Sequence, residues 1–114
     1  MPALTPEQKE IRRLNRIYQG LPPKQLAIAQ GLIIEAARLR ARLDYLWEDL
    51  QEKGETELFS QSKDTPPYER ERPASRTYTA TNKSYQAIIK QLNDMVPPEE
   101  PEKKSRLEMM MDDD

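Results

Sequence analysis

The chain has no cysteine and no histidine among its 114 residues. That excludes disulfides, thiolate nucleophiles, Ser-His-Asp chemistry and the common cysteine/histidine zinc sites. Glycine is scarce, at three residues, and neither a Walker loop, a dinucleotide-binding glycine pattern nor a nucleophile elbow is present. No apolar run approaches the roughly 20 residues of a membrane span. Met1-Pro2-Ala3-Leu4-Thr5-Pro6 lacks both the basic and the apolar segment of a signal peptide. No catalytic residue, metal-ligand set or cofactor site emerges. The sequence therefore predicts a non-enzymatic chain that acts by binding, and the lack of cysteine fits a reducing cytoplasm.

What is present is helical periodicity. Ala29, Leu32, Ala36, Leu39, Leu43, Leu46 and Leu50 are spaced alternately three and four residues apart, the spacing of a coiled-coil seam. Ile33 and Trp47 flank this stripe on one side and Ile28 on the other. Arg40 falls between Ile33 and Trp47 and is expected to snorkel or to pair with Asp44. Pro22-Pro23 and Gly54 bound the segment, which predicts one long helix over 21–53.

Before it, Thr5-Pro6-Glu7-Gln8 carries an N-cap, a first-turn proline and a capping-box glutamine. A helix is expected from there to about Gln19, with Gly20 as a left-handed cap and the whole segment spanning 1–20. Ile11, Leu14, Ile17 and Tyr18 form its apolar side. Lys9, Arg12, Arg13 and Arg16 form the other, at i, i+3, i+4, i+7.

Residues 54–76 read as a mobile linker, in which Glu55-Thr56-Glu57-Leu58-Phe59 could make a short turn or strand and Asp64 to Arg76 is the mobile stretch, and 77–96 read as a third helix. Its stripe includes Tyr78, Tyr85, Ile88, Ile89, Leu92, Met95 and Val96. Core packing is the expected role of Tyr85, Ile88, Ile89 and Leu92. Residues 97–114 form an acidic tail expected to be disordered, whose apolar residues Leu107, Met109, Met110 and Met111 suit docking on a partner. The fold expected is all-α and oligomeric, because so small a foldable part buries little core alone.

Net charge is −2, yet it is unevenly placed: residues 1–43 carry +5, 44–72 carry −5, 73–96 carry +2 and 97–114 carry −4. The α-helical row Lys9, Arg12, Arg13, Arg16 suits contact with phosphates. A solvated outer face is the plainer alternative, and an anionic membrane a third, although the apolar side lacks Trp and Phe. Glu35, Arg38 and Arg42 fit an ion-pair ladder. Asp44, Glu48, Asp49 and Glu52 lie along one exposed helix with nothing converging on them, so an electrostatic role is expected, such as pairing with the basic half of a neighbouring copy. No helix-turn-helix can be placed, because the helix after the Gly20–Pro23 corner is too long and apolar for recognition.

Leu21-Pro22-Pro23-Lys24-Gln25-Leu26, Gly31-Leu32-Ile33, Ala36-Ala37, the run from Leu43 to Leu50, Glu52-Lys53-Gly54 and Ser84-Tyr85-Gln86-Ala87-Ile88-Ile89-Lys90-Gln91-Leu92 resemble the small terminase subunits of tailed phages from Gram-positive hosts. The resemblance implies an all-helical protein, commonly a homo-oligomeric ring. It would bind double-stranded phage DNA and hand it to the large terminase subunit in the host cytoplasm, with no membrane partner. It covers 21–54 and about 76–96 and implies no DNA-contact residue, since Lys9 to Arg16 lie outside it.

Overall fold

A computed structural model describes residues 2–97 as three helices and a two-stranded sheet, in the order α1 (Pro6–Ile17), α2 (Pro23–Lys53), β1 (Thr56–Phe59), β2 (Tyr68–Glu71) and α3 (Pro73–Asp94). Leu107 and Met109 to Met111 lie outside the described residues. The capping box forms: Gln8 N–H donates to Thr5 Oγ1 at 3.1 Å and Thr5 N–H to Gln8 Oε1 at 3.0 Å. The helix stops at Ile17, earlier than expected, and Gly20 is not left-handed; the positive-φ glycine among the described residues is Gly54, at φ 82°. Buried Tyr18 and Leu21 draw the chain inward instead, with a Leu21 N–H to Tyr18 carbonyl bond at 3.2 Å closing the turn.

The 31 residues of α2 make a rod of about 45 Å. α3 packs along it in the opposite direction, as Trp47 beside Tyr78 and Arg40 beside Tyr85 show. Leu92 and Ile33 lie in the same core, fully buried. α1 covers a different side of the N-terminal part of α2, with Leu14 fully enclosed and the Tyr18 hydroxyl donating to Asn93 Oδ1 at 2.7 Å. The long seam thus packs inside the chain. Ala29, Ala36, Leu43 and Leu50 are buried, while Leu32, Leu39 and Leu46 are half-buried along its edge. Two flanking expectations are corrected. Ile28 points outward at 63% exposure, and Trp47 is half-exposed, covered on one side by Tyr78 at 5.7 Å.

The segment expected to be a linker folds as an antiparallel hairpin, with Phe59 paired to Tyr68 and Thr56 to Glu71. The fold is therefore helix-rich rather than purely α. Side chains hold the ribbon where backbone pairing of two strands alone is marginal. The Arg70 guanidinium lies 3.5 Å over the Phe59 ring and bonds Glu57 at 2.9 Å, and Phe59 meets Tyr68 edge-on. α3 begins at Pro73, four residues before the expected Thr77, because proline at N1 presets the first turn while its polar neighbours hide it from a hydrophobicity pattern.

Arg72 clamps the hairpin to the helices, bonding Asp49 at 2.8 Å and the Gly54 carbonyl at 2.7 Å. The Arg72 hydrogen bond, aided by Lys53 and opposed by desolvation, holds the Asp49 carboxyl below the usual carboxylate range. A carboxyl depressed in the folded state contributes stability above its unfolded value, near pH 4, and loses it as pH falls through the lower folded value. Acid is therefore expected to loosen the Arg72 junction below about pH 4. Protection of the Arg72 and Gly54 amides, taken as exchange relative to the unfolded-chain rate at the same pH, should fall in wild type between pH 5 and 3. In Asp49→Asn that protection should already be low at pH 5.

Gly31 sits in the interior of α2 at an exposed position, and nothing lies within 4 Å of where a Cβ would stand. Gly31→Ala is expected to stabilise the chain by about 0.5–1 kcal/mol through helix propensity, read as a rise in Tm of a few degrees. A fall in Tm would show that Gly31 is needed for a close contact.

Candidate nucleic-acid interface

The apolar side of α1 fixes the direction of its cations. Leu14 and Tyr18 are buried and Ile11 is packed against the core, so α1 is held by one face. Lys9, Arg12, Arg13 and Arg16 occupy the opposite arc and are all exposed. Ile17, expected on the apolar side, is instead 57% exposed at the end of the helix. The structure brings the four cations onto one outward surface about 10 Å long, from the 1.5 Å rise per residue.

The nearby carboxylates engage selectively. Glu10 bonds Arg13 at 2.5 Å, and Glu7 turns away from the row to Arg38 at 3.5 Å. Lys9, Arg12 and Arg16 have no ion-pair partner among the described residues. Three cations unpaired among the described residues and one arginine held by Glu10 form a surface that meets an anion without first breaking several internal pairs. Behind them, burial chiefly raises the Tyr18 phenol above its ordinary value; Tyr85 adds to this and Arg13 opposes it. Tyr18 is therefore an uncharged prop for the helix.

Arg38 and Arg40 form structural pairs. Arg38 bonds Glu35 at 2.9 Å, as the ladder spacing requires, and Arg42 is exposed beside it. Arg40 bonds Asp44 at 2.8 Å and lies 5.3 Å over the Tyr85 ring. Burial works against its charge, but Asp44 and Tyr85 outweigh that, so its basicity is raised. Tyr85, Ile88, Ile89 and Leu92 lie in or against the core. A second exposed basic row went unnoticed in the sequence: Arg76, Lys83 and Lys90 recur every seven residues on α3. Arg76 pairs with Glu71 at 3.5 Å and Lys90 with Asp94 at 3.1 Å, so this row is more neutralised than that of α1.

No helix among the described residues is long and apolar enough to cross a membrane. Comparison with family models, with curated proteins and with solved structures finds no match.

Proposed function

We propose that this chain is a non-enzymatic adaptor for viral DNA packaging, of the small-terminase kind that 21–54 and 76–96 resemble. In this reading it holds double-stranded phage DNA on the outward face of α1, works as a homo-oligomer in the host cytoplasm, and recruits or regulates the large terminase subunit. The observation that carries the DNA contact is the exposed row of Lys9, Arg12 and Arg16, without ion pairs among the described residues, on a helix anchored by its other side. Such a surface contacts backbone phosphates and carries no base-reading element, so affinity is expected to depend on salt more than on sequence.

The test is titration of duplex DNA with wild type and with Arg12→Glu/Arg13→Glu across a salt series. A weaker affinity and a shallower salt slope are expected; unchanged values would remove α1 as the DNA surface. The second reading is a helical protein that binds only other proteins, favoured by the acidic C-terminal part of α2, where Glu48 and Glu52 are exposed. It requires that wild type show no affinity for duplex DNA even at low salt while still assembling.

A further inference from the structure

α1 covers only part of the α2 face on which it lies. Asn15 accepts a hydrogen bond from Gln30 at 2.8 Å and Glu7 meets Arg38 at 3.5 Å, so the two helices run antiparallel and α1 begins beside Arg38. The same face of α2 continues beyond that point through Ala41, Tyr45, Glu48 and Glu52, at the three- and four-residue steps that keep one side of a helix. From Arg38 to Glu52 this shelf is about 21 Å long, and α1 itself is about 18 Å. A helix of the length of α1 therefore fits on it, in line with α1 and past its start.

The shelf is acidic and aromatic. Tyr45 is 72% exposed, and with Glu48, Asp49, Glu52 and Lys53 it lines a shallow hollow of about 170 Å³. Asp49 at the rim is already held by Lys53 and Arg72, and Asp44 by Arg40. Glu48 and Glu52 have no ion-pair partner among the described residues. Paired carboxylates beside a phenol ring are suited to guanidinium groups, by bidentate hydrogen bonds and by cation–π contact.

We infer that the shelf docks the cationic face of α1 from a second copy of this chain. Spacing supports the match. Lys9, Arg12 and Arg16 stand at i, i+3, i+7, and so do Tyr45, Glu48 and Glu52. Laid parallel, the lysine faces the ring and each arginine faces a glutamate. The chain's own α1 is unable to make this contact, because Leu14 and Tyr18 hold its apolar side against the core and its cations point away. The contact joins two different surfaces, so it is head-to-tail and propagates into a ring or a filament. Where α1 also binds DNA, as proposed above, the same cations serve both partners, so a copy holds either DNA or its neighbour through α1, and an assembly joined by this contact is the DNA-free form of the homo-oligomer. That competition rests on the DNA reading; the docking does not.

The experiment is a charge exchange on the full chain, read by sedimentation velocity at 50 mM and 500 mM salt with helicity checked by circular dichroism. Wild type is expected to associate at low salt and to separate at high salt. Arg12→Glu/Arg16→Glu and Glu48→Arg/Glu52→Arg should each weaken association at least about tenfold. An equimolar mixture of the two variants, or the variant combining all four changes, should restore it. If neither variant weakens association, or the exchange fails to restore it, the shelf does not receive α1, and a basic segment of another protein becomes its occupant. Duplex DNA added to wild type should dissolve the assembly, while Glu48→Arg/Glu52→Arg retains DNA binding. If the charge exchange succeeds and no variant binds DNA, the docking stands and the packaging adaptor reading falls.

Discussion

Leu43→Asp is expected to abolish cooperative folding at neutral pH. Leu43 is fully buried in the single core shared by α2 and α3. Truncating a buried leucine costs about 2–5 kcal/mol in lost burial and cavity formation. Leaving an unpaired carboxylate in its place adds several kcal/mol, or forces the group to take up a proton. The stability available to a domain of this size is about 5–15 kcal/mol, so the two costs together consume most or all of it. Leu39→Asp should do less, because Leu39 is half-buried at the edge and its carboxylate can turn to water. Leu58→Asp should do almost nothing, since Leu58 is 76% exposed on the hairpin. Urea unfolding of the three variants should rank them in that order. A folded Leu43→Asp with an unchanged midpoint would mean that the α2–α3 core is not where the chain keeps its stability.

That ordering shows how far the seam could be read from spacing. A strict seven-residue repeat on a straight α-helix drifts by about 20° each heptad. The row Ala29, Ala36, Leu43, Leu50 keeps within the face that α3 covers, whereas Leu32, Leu39 and Leu46 lean toward its open edge. Ile33 is fully buried because α1 and α3 close over that end, and Ile28, beyond the opposite edge, meets neither. Helix starts and stops with local chemistry were legible: the Thr5–Gln8 box and the Gly54 end depend on neighbours in sequence.

Of the hairpin only the first strand was legible, as a candidate short turn or strand at Glu55 to Phe59; the second strand and the pairing were not, because the chemistry that joins them lies between segments. Two four-residue strands rich in glutamate and arginine show no apolar alternation. Their order comes from Arg70 meeting Phe59 and Glu57, and from Arg72 reaching back to Asp49. Those partners stand 11 to 23 positions apart, beyond the three- and four-residue steps that a periodicity reading follows. The cations of α1 were legible as a row, and their outward direction follows from the same spacing that buries Leu14. That Glu7 leaves the row for Arg38, and that α1 stops short of Tyr45, required the helices to be placed side by side.

If α1 is the DNA surface, Arg12→Glu/Arg13→Glu is expected to weaken duplex binding by about sixty-fold at 0.1 M salt from counterion release alone. Each phosphate contact contributes about 0.9 to the slope of log affinity against log salt, so two lost contacts flatten it by about 1.8. At a tenth of molar salt, that change amounts to nearly two decades relative to the 1 M intercept. Two new carboxylates facing phosphates lower affinity further, whereas an Arg13 that stays on Glu10 lowers the counterion contribution below two full contacts. Arg13 contributes less than Arg12 if its bond to Glu10 persists in the complex, which Arg12→Glu alone resolves: it should account for more than half of the slope change. The apolar side of α1 is untouched by either substitution, so helicity and Tm should stay near wild type. A loss of affinity that appears equally at 0.1 M and 0.5 M salt, with no change of slope, would point to a damaged helix rather than to lost phosphate contacts. Fluorescence anisotropy of a short labelled duplex at four salt concentrations distinguishes the two outcomes.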